Sequence, residues 1–366
     1  MFSYTVLPQE GGRRTVRFLE KMLPEAPSGL LYRFLRTKKI RVNGNHPRPD
    51  QILEAGDRID VYISDEQAAE LGYRTLDPSI ESVRKDTPEQ LLRKPADFPH
   101  IPIVYEDGNF VLWNKPAGVL CQSDRSGAYS LSEYAADTLS AATYKAGVIN
   151  RLDRGTTGLV LAARSLSCAQ ALSEMFRSHG CRKLYLALSE GECSWTGEMW
   201  LVHTFRKDSR TNTAHVERLY TGPEQPDLSK RNLKMQKAGT GGRPVVCRAR
   251  VLCIGAGHTL FALELIGGQS HQLRAQIAAE GYPVAGDRKY GQNRKTDRVF
   301  VVSHPLLHAY KLLFNGLDEP FAGYNEHVYT AQPPDDMMKA LRAVSSSPDA
   351  VLQDAGFGEE SRYQTQ

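Results

Sequence analysis

Apolar residues recur at helical spacing in two stretches near the start of the chain. Val16, Leu19 and Leu23 form the first, Leu31, Phe34 and Leu35 the second, with Pro24 and Pro27 between them. This spacing predicts two short amphipathic helices separated by a break. The pattern then changes to alternation. Ile40-Arg41-Val42 runs into Asn43-Gly44, a pair suited to a tight hairpin turn, and a second strand, Arg58 to Ile63, follows the turn at Gly56-Asp57. Residues 1–65 are therefore expected to form one small α+β unit.

Prolines at 78, 88, 95 and 99 and charges of both signs make 66–100 a linker, although Leu91, Leu92 and Phe98 are apolar. A longer unit is expected over 101–344. It opens as strand, turn, strand from Ile103 to Trp113 and bends sharply at Lys115-Pro116-Ala117-Gly118. A helix is expected from Ser130 to Lys145, and Leu159-Val160-Leu161 reads as a buried strand. Ser167 is the expected cap of a further helix on which Leu172, Met175 and Phe176 share a face and which ends at Gly180. Arg182 to Leu188 alternates, which sets Lys183 and Tyr185 on one face of a strand. Residues 191–242 are polar and weakly periodic, with basic residues at Arg206, Lys207, Arg210, Lys230, Arg231, Lys234 and Lys237, and read as a substrate-facing insertion. Two apolar strands, Cys247 to Ile254 and His258 to Ile266, pair across Gly255-Ala256-Gly257, and the turn at 267–271 opens a helix. A strand at Leu312 to Phe314, a helix at Met337 to Val344 and a partly disordered polar tail at 345–366 complete the expected order.

Composition narrows the class more than the activity. With 366 residues, 41% hydrophobic and 24% charged, the chain is an ordinary globular sequence of two or three domains. The net charge of +4 says little, but its distribution is uneven: Arg13 to Arg41 carries nine Lys and Arg against Glu20 and Glu25. No apolar run of 18 residues predicts a membrane span, and the first residues lack the pattern of a signal peptide, so a cytoplasmic monomer is expected. The six cysteines are scattered without a CxxC pair, which favours free thiols, and no cluster has metal-ligand spacing.

The candidate chemistry centres on Asn150 to Arg164. Asp153 lies between Arg151 and Arg154, ahead of a glycine- and threonine-rich turn and a core strand, an arrangement that can hold one carboxylate still. On its own such a fragment reads more readily as a surface turn with an arginine–aspartate ion pair. A tyrosine in a strand, Tyr185, is more often a packed core residue, and Arg274 near a helix start opposes the dipole and so calls for an acidic partner. His271 lies on the same helical face as Arg274, with too few neighbours for a metal site.

Two resemblances join these pieces. RFLEKMLP, YRFLRTKKIRVNG and ILEAGDRIDV resemble the small RNA-binding domain named after ribosomal protein S-four, which implies RNA contact by Arg33, Arg36, Lys38 and Lys39. VLWNKPAGVL, NRLDRGTTGLVLAARS, RKLYLALSEG and GGQSHQLRAQIAAEGYPVAGDRKYG, in that order, resemble the RluA family of RNA pseudouridine synthases. That resemblance implies an α+β fold: a mixed, mainly antiparallel sheet with flanking helices, beside the small α+β RNA-binding domain. It also implies a cofactor-free isomerisation of uridine flipped out of its RNA helix. Asp153 would act on the nucleoside, by attack at C1′ or by a glycal route. Tyr185 would pack against the base, Arg274 would pair with Asp153, and Arg151, Lys183 and His271 would contact RNA. Large-subunit (23S) ribosomal RNA is the expected partner, with transfer RNA as the alternative.

The chain departs from the family pattern at several positions. Asn150 stands where histidine is usual and Thr157 where serine is usual. Gly267-Gly268-Gln269 replaces Thr-Gly-Arg, and Gln276 replaces a histidine. Asp153, Tyr185 and Arg274 are retained, so the departures bear on RNA binding and loop geometry more than on the chemical step; a non-catalytic RNA-binding assembly factor is the rival class. A glycosidase-like hydrolase ranks below both, since it would want two carboxylates flanking the bond.

Overall fold

A computed structural model describes residues 2–73, 94–124, 126–140, 144–208, 213–226, 242–291, 300 and 302–356. The first unit contains strands β1 (Phe2–Thr5), β2 (Arg13–Arg14), β3 (Ile40–Val42), β4 (Ile52–Leu53) and β5 (Arg58–Val61) and helices α1 (Thr15–Met22) and α2 (Ser28–Arg36). Phe18, Leu19, Leu31 and Phe34 bury the apolar faces of the two helices against Ile40, Ile59 and Val61. Arg33, Arg36, Lys38 and Lys39 stay on the outside, because the basic residues fall between the apolar positions. The sheet differs from a simple hairpin. Asn43 and Gly44 turn the chain with positive φ, but β5 is the central strand, with β3 on one side and the unforeseen β1 on the other.

The segment expected as a linker, 66–100, begins inside helix α3 (Asp65–Glu70), whose Ala68 joins the core of the first unit. Residues 74–93, with Leu91 and Leu92, lie outside the described residues.

The larger unit is built on one mixed sheet of ten strands. Its strands are β6 (Ile103–Glu106), β7 (Phe110–Lys115), β8 (Thr157–Ala163), β9 (Cys181–Glu190), β10 (Glu198–Asp208), β11 (Thr213–Gly222), β12 (Arg243–Gly255), β13 (His258–Ile266), β14 (Leu307–Phe314) and β15 (Val328–Thr330). They run in the order β11-β10-β12-β13-β9-β14-β8-β7-β6, with β15 paired to β14, and every pairing is antiparallel except β8 with β14. All seven residues of β8 are buried, as expected for a strand covered on both faces. Gly158 has φ of 109°, and a Cβ there would sit 2.2 Å from the Ala309 carbonyl oxygen, so only glycine lets β8 approach β14 at this point. That approach fixes the end of β8 from which the 150–156 loop departs.

Several expected elements shift. Much of the polar 191–242 segment is the long strand pair β10 and β11; 209–212 and 227–241, with Arg210, Lys230, Arg231, Lys234 and Lys237, lie outside the described residues. Helix α4 (Leu131–Leu139) is capped by Ser130, whose hydroxyl accepts from Glu133 N–H, and it is shorter than expected. Helix α5 (Leu166–Arg177) is capped by Ser165 rather than Ser167. The last expected strand is the final part of a longer one, β14. After the helix Asp335–Val344, the tail forms another, Pro348–Asp354, which buries Leu352 where disorder was expected; 357–366 lie outside the described residues. All six cysteines are free, and no helix among the described residues is long and apolar enough to cross a membrane.

Candidate active site

The Asp153 loop is fastened on three sides. Asn150, at the usual histidine position, acts as an extra strand residue: its amide donates to the Leu159 carbonyl at 3.0 Å and its oxygen accepts from Leu161 N–H at 2.8 Å. Leu152 N–H donates to Cys121 Sγ at 3.2 Å, and Thr156 N–H to the Asp153 carbonyl at 3.0 Å. The third support comes from the bend after β7. Lys115 is fully buried, and its Nζ donates to the carbonyls of Pro116, Val119 and Arg154 at 3.0, 3.0 and 3.2 Å. Gly118 N–H also reaches the Arg154 carbonyl, while Arg154 Nε returns a bond to the Gly118 carbonyl. Burial lowers the Lys115 pKa to about 8, against the opposing pull of Cys121 and Asp153.

Helix α6 (Gln272–Ala279) supplies the cation. Arg274 Nη1 lies 3.1 Å from Asp153 Oδ2. Its other two nitrogens make a fork to Asp287, Nε to Oδ2 and Nη2 to Oδ1, each at 2.7 Å. The Asp287 carboxylate is fully buried and also accepts from Lys289 and Tyr290 N–H. Burial works against the guanidinium, but Asp287 and then Asp153 outweigh it and raise its pKa. The acidic partner demanded by Arg274 is thus double: Asp287 locks the plane and Asp153 takes the free corner.

His271 precedes this helix in a left-handed conformation, with φ of 64°. Its Nδ1 meets the Tyr290 hydroxyl at 3.1 Å, and its Nε2 stands 3.8 Å from Asp153 Oδ2. Burial lowers its pKa; Asp153 opposes that shift, and Arg274, Lys289 and Lys207 add to it.

From β9, Lys183 and Tyr185 face the same space, as their alternation requires. Lys183 Nζ donates to the Gly267 carbonyl at 2.6 Å and lies 6.0 Å from the Phe176 ring centre. Burial, and secondly the Asp153 charge, push the Tyr185 phenol up, so it is neutral at ordinary pH. Beneath β8, Thr157 meets His308 Nδ1 at 2.8 Å; burial holds that histidine's pKa at about 4.

A cleft of about 680 Å³ opens above these supports. It brings together Asp153, Tyr185, Arg274, Arg151, Lys183 and His271. Arg151 reaches along the rim to Gln122 Oε1 at 2.9 Å. Arg33, Arg36, Lys38 and Lys39 do not line it, since they belong to the first unit. Sequence reasoning missed Lys115 and Asp287. Both stand inside motifs already quoted, and the signal was an ionisable residue beside a turn glycine or proline. Gln276 is turned away from the cleft: its amide donates to the Leu201 carbonyl and meets His203 Nδ1, each at 3.2 Å. Among the described residues no group of three or more His, Cys, Asp or Glu could hold a metal ion.

The family described as RNA pseudouridylate synthase matches residues 109–279, which contain Lys115, Asp153, Tyr185 and Arg274. A protein of Escherichia coli O157:H7 named "Ribosomal large subunit pseudouridine synthase C" is 27% identical over 339 residues, covering 91% of this chain and 93% of its own length. The protein of that name from Vibrio cholerae serotype O1 is 27% identical over 308 residues, 83% of this chain and 85% of its own. The solved structure titled "Human RNA Pseudouridylate Synthase Domain Containing 1" is 23% identical, covers 69% of this chain and 98% of that one, and has a TM-score of 0.45. The match over 109–279 and the two 27%-identical relatives make the larger unit similar to RNA pseudouridine synthases, which are isomerases.

Proposed function

We propose that the chain isomerises uridines of large-subunit ribosomal RNA, with Asp153 as the carboxylate that acts on the nucleoside. The observation that carries this reading is the Asp287–Arg274–Asp153 chain, which presents one partly exposed carboxylate to the cleft beside Tyr185. Asp153 has the Arg274 guanidinium on one oxygen, which fixes the orientation of the carboxylate.

The reaction needs no net electron or atom from outside. The N1–C1′ bond breaks with its electron pair on the uracil, while Asp153 either bonds to C1′ or takes the proton from C2′. The freed base turns and C5 bonds to C1′ as the sugar leaves the carboxylate or regains its proton. The C5 proton is then lost and N1 is protonated. Positive character develops at C1′ beside the carboxylate, and negative character on the base is met by Lys183. Tyr185, a neutral phenol, supplies a face for the base.

The first unit is read as the RNA-binding domain its sequence resembles. Arg33, Arg36, Lys38 and Lys39 share its exposed surface and suit a phosphate backbone. The names of the 27%-identical relatives, over more than four-fifths of both chains, support the ribosomal substrate.

The test is a pseudouridine map of total RNA from cells with and without this protein. Loss of a site in large-subunit RNA supports the reading. Loss confined to transfer RNA moves the substrate, and an unchanged map overturns the assignment in favour of an assembly factor.

A further inference from the structure

The large cleft has a smaller neighbour. A second hollow of about 260 Å³ shares Asp153, His271 and Arg274 with it, so these three residues form the divide. The two sides differ in chemistry. The large side carries Tyr185 together with Leu120, Leu265, Leu273 and Leu307, which suits a planar base. Among the described residues the small side carries no aromatic ring. Arg154, Arg288 and Lys289 stand around it with Gly155, Ser303 and Pro305, and among those residues the one carboxylate is Asp153, already paired with Arg274.

A nucleotide has the same two-sided character, with its sugar between a base and a phosphate. If Asp153 acts at the sugar and the base lies against Tyr185, the phosphate falls across the divide. Resting on the proposed function, we infer that the hollow bounded by Arg154, Arg288 and Lys289 is a subsite for a phosphodiester flanking the flipped uridine.

Two further features fit. Arg154 is oriented by its Nε bond to the Gly118 carbonyl, and the backbone N–H of Lys289 donates to Asp287. The Arg154 side chain and the Lys289 backbone are thereby tied to the supports that hold Asp153 and Arg274. Arg288 and Lys289 are exposed, so neither is needed for the core. Burial, and then Arg274, lower the Lys289 pKa, against the opposing pull of Asp153 and Asp287.

The experiment uses the full chain and a short RNA carrying the uridine located by the pseudouridine map. Arg288→Ala and Lys289→Ala are compared with the wild type for isomerisation under single turnover. Each is repeated with one methylphosphonate 5′ or 3′ of the uridine, which removes that phosphate's charge. The inference expects each variant to lose about 10-fold or more in rate at saturating RNA, with a binding slope against salt smaller by about one per lost contact. One of the two methylphosphonates should slow the wild type but add little to the loss in a variant carrying both Arg288→Ala and Lys289→Ala, and that position names the phosphate.

Variants that melt like the wild type and isomerise at its rate would overturn the subsite. So would methylphosphonate and side-chain losses that simply multiply at both positions. A wild-type chain that converts no uridine would overturn the proposed function as well, which separates the two failures.

Discussion

Asp153 is held by a guanidinium that is itself held from behind, and the consequences differ for the two acids. Asp287 is fully buried, so Asp287→Ala leaves Arg274 without its main partner and should cost about 3–5 kcal/mol of stability, read from urea unfolding. Asp287→Asn keeps the shape but weakens the fork. Isomerisation at saturating RNA should fall up to about 100-fold as Arg274 drifts, with RNA affinity little changed. Lys115 gives a pH signature. Its pKa is about 8 in the folded chain, against about 10.4 when unfolded. Between those values the unfolded state binds more protons, so this residue's contribution to stability rises with pH there, while below about 8 its burial penalty stands in full. Unfolding from pH 7 to 10 should show wild type gaining on Lys115→Met; parallel curves would contradict the assignment. Arg274 was legible because a cation at a helix start demands an acid. Asp287 was not: its partnership depends on a turn through Gly281 and Gly286 that no periodicity reveals.

At the scale of elements, the site depends on where β8 begins. Gly158 is required by the close approach of β14, and Gly158→Ala should destabilise by about 3 kcal/mol or more, seen as a lower urea midpoint. The strands legible in advance were those with clear apolar patterns, β7, β8, β9 and the β12–β13 pair. β10 is an interior strand buried from Trp200 to Phe205, but its short Trp200-Leu201-Val202 run is hidden inside a polar segment. β11 was not legible either, because it lies at the sheet edge and most of its residues stay partly or fully exposed. A half-exposed edge strand has the composition of a loop. The displaced cap of α5 has a similar cause, since Ser165 and Ser167 are equally good caps and tertiary packing chose between them.

For the whole molecule, the account divides labour between a basic platform and a site that does the chemistry. The outward placement of Arg33, Arg36, Lys38 and Lys39 could be read from helical spacing, whereas RNA binding came only from resemblance. Replacing Lys38 and Lys39 together by glutamine should weaken RNA binding and flatten its salt dependence by up to about two log units per log unit of salt. Turnover at saturating RNA should stay unchanged, and a collapse there would mean that the platform also shapes the site. The most direct test of the central claim is Asp153→Asn. The substitution keeps the size of the side chain and removes its charge. Purified variant and wild type are each incubated with the target RNA, and pseudouridine is counted at the target position while RNA affinity is measured in parallel. The account predicts wild-type affinity with no detectable pseudouridine. Conversion at the wild-type rate would contradict it.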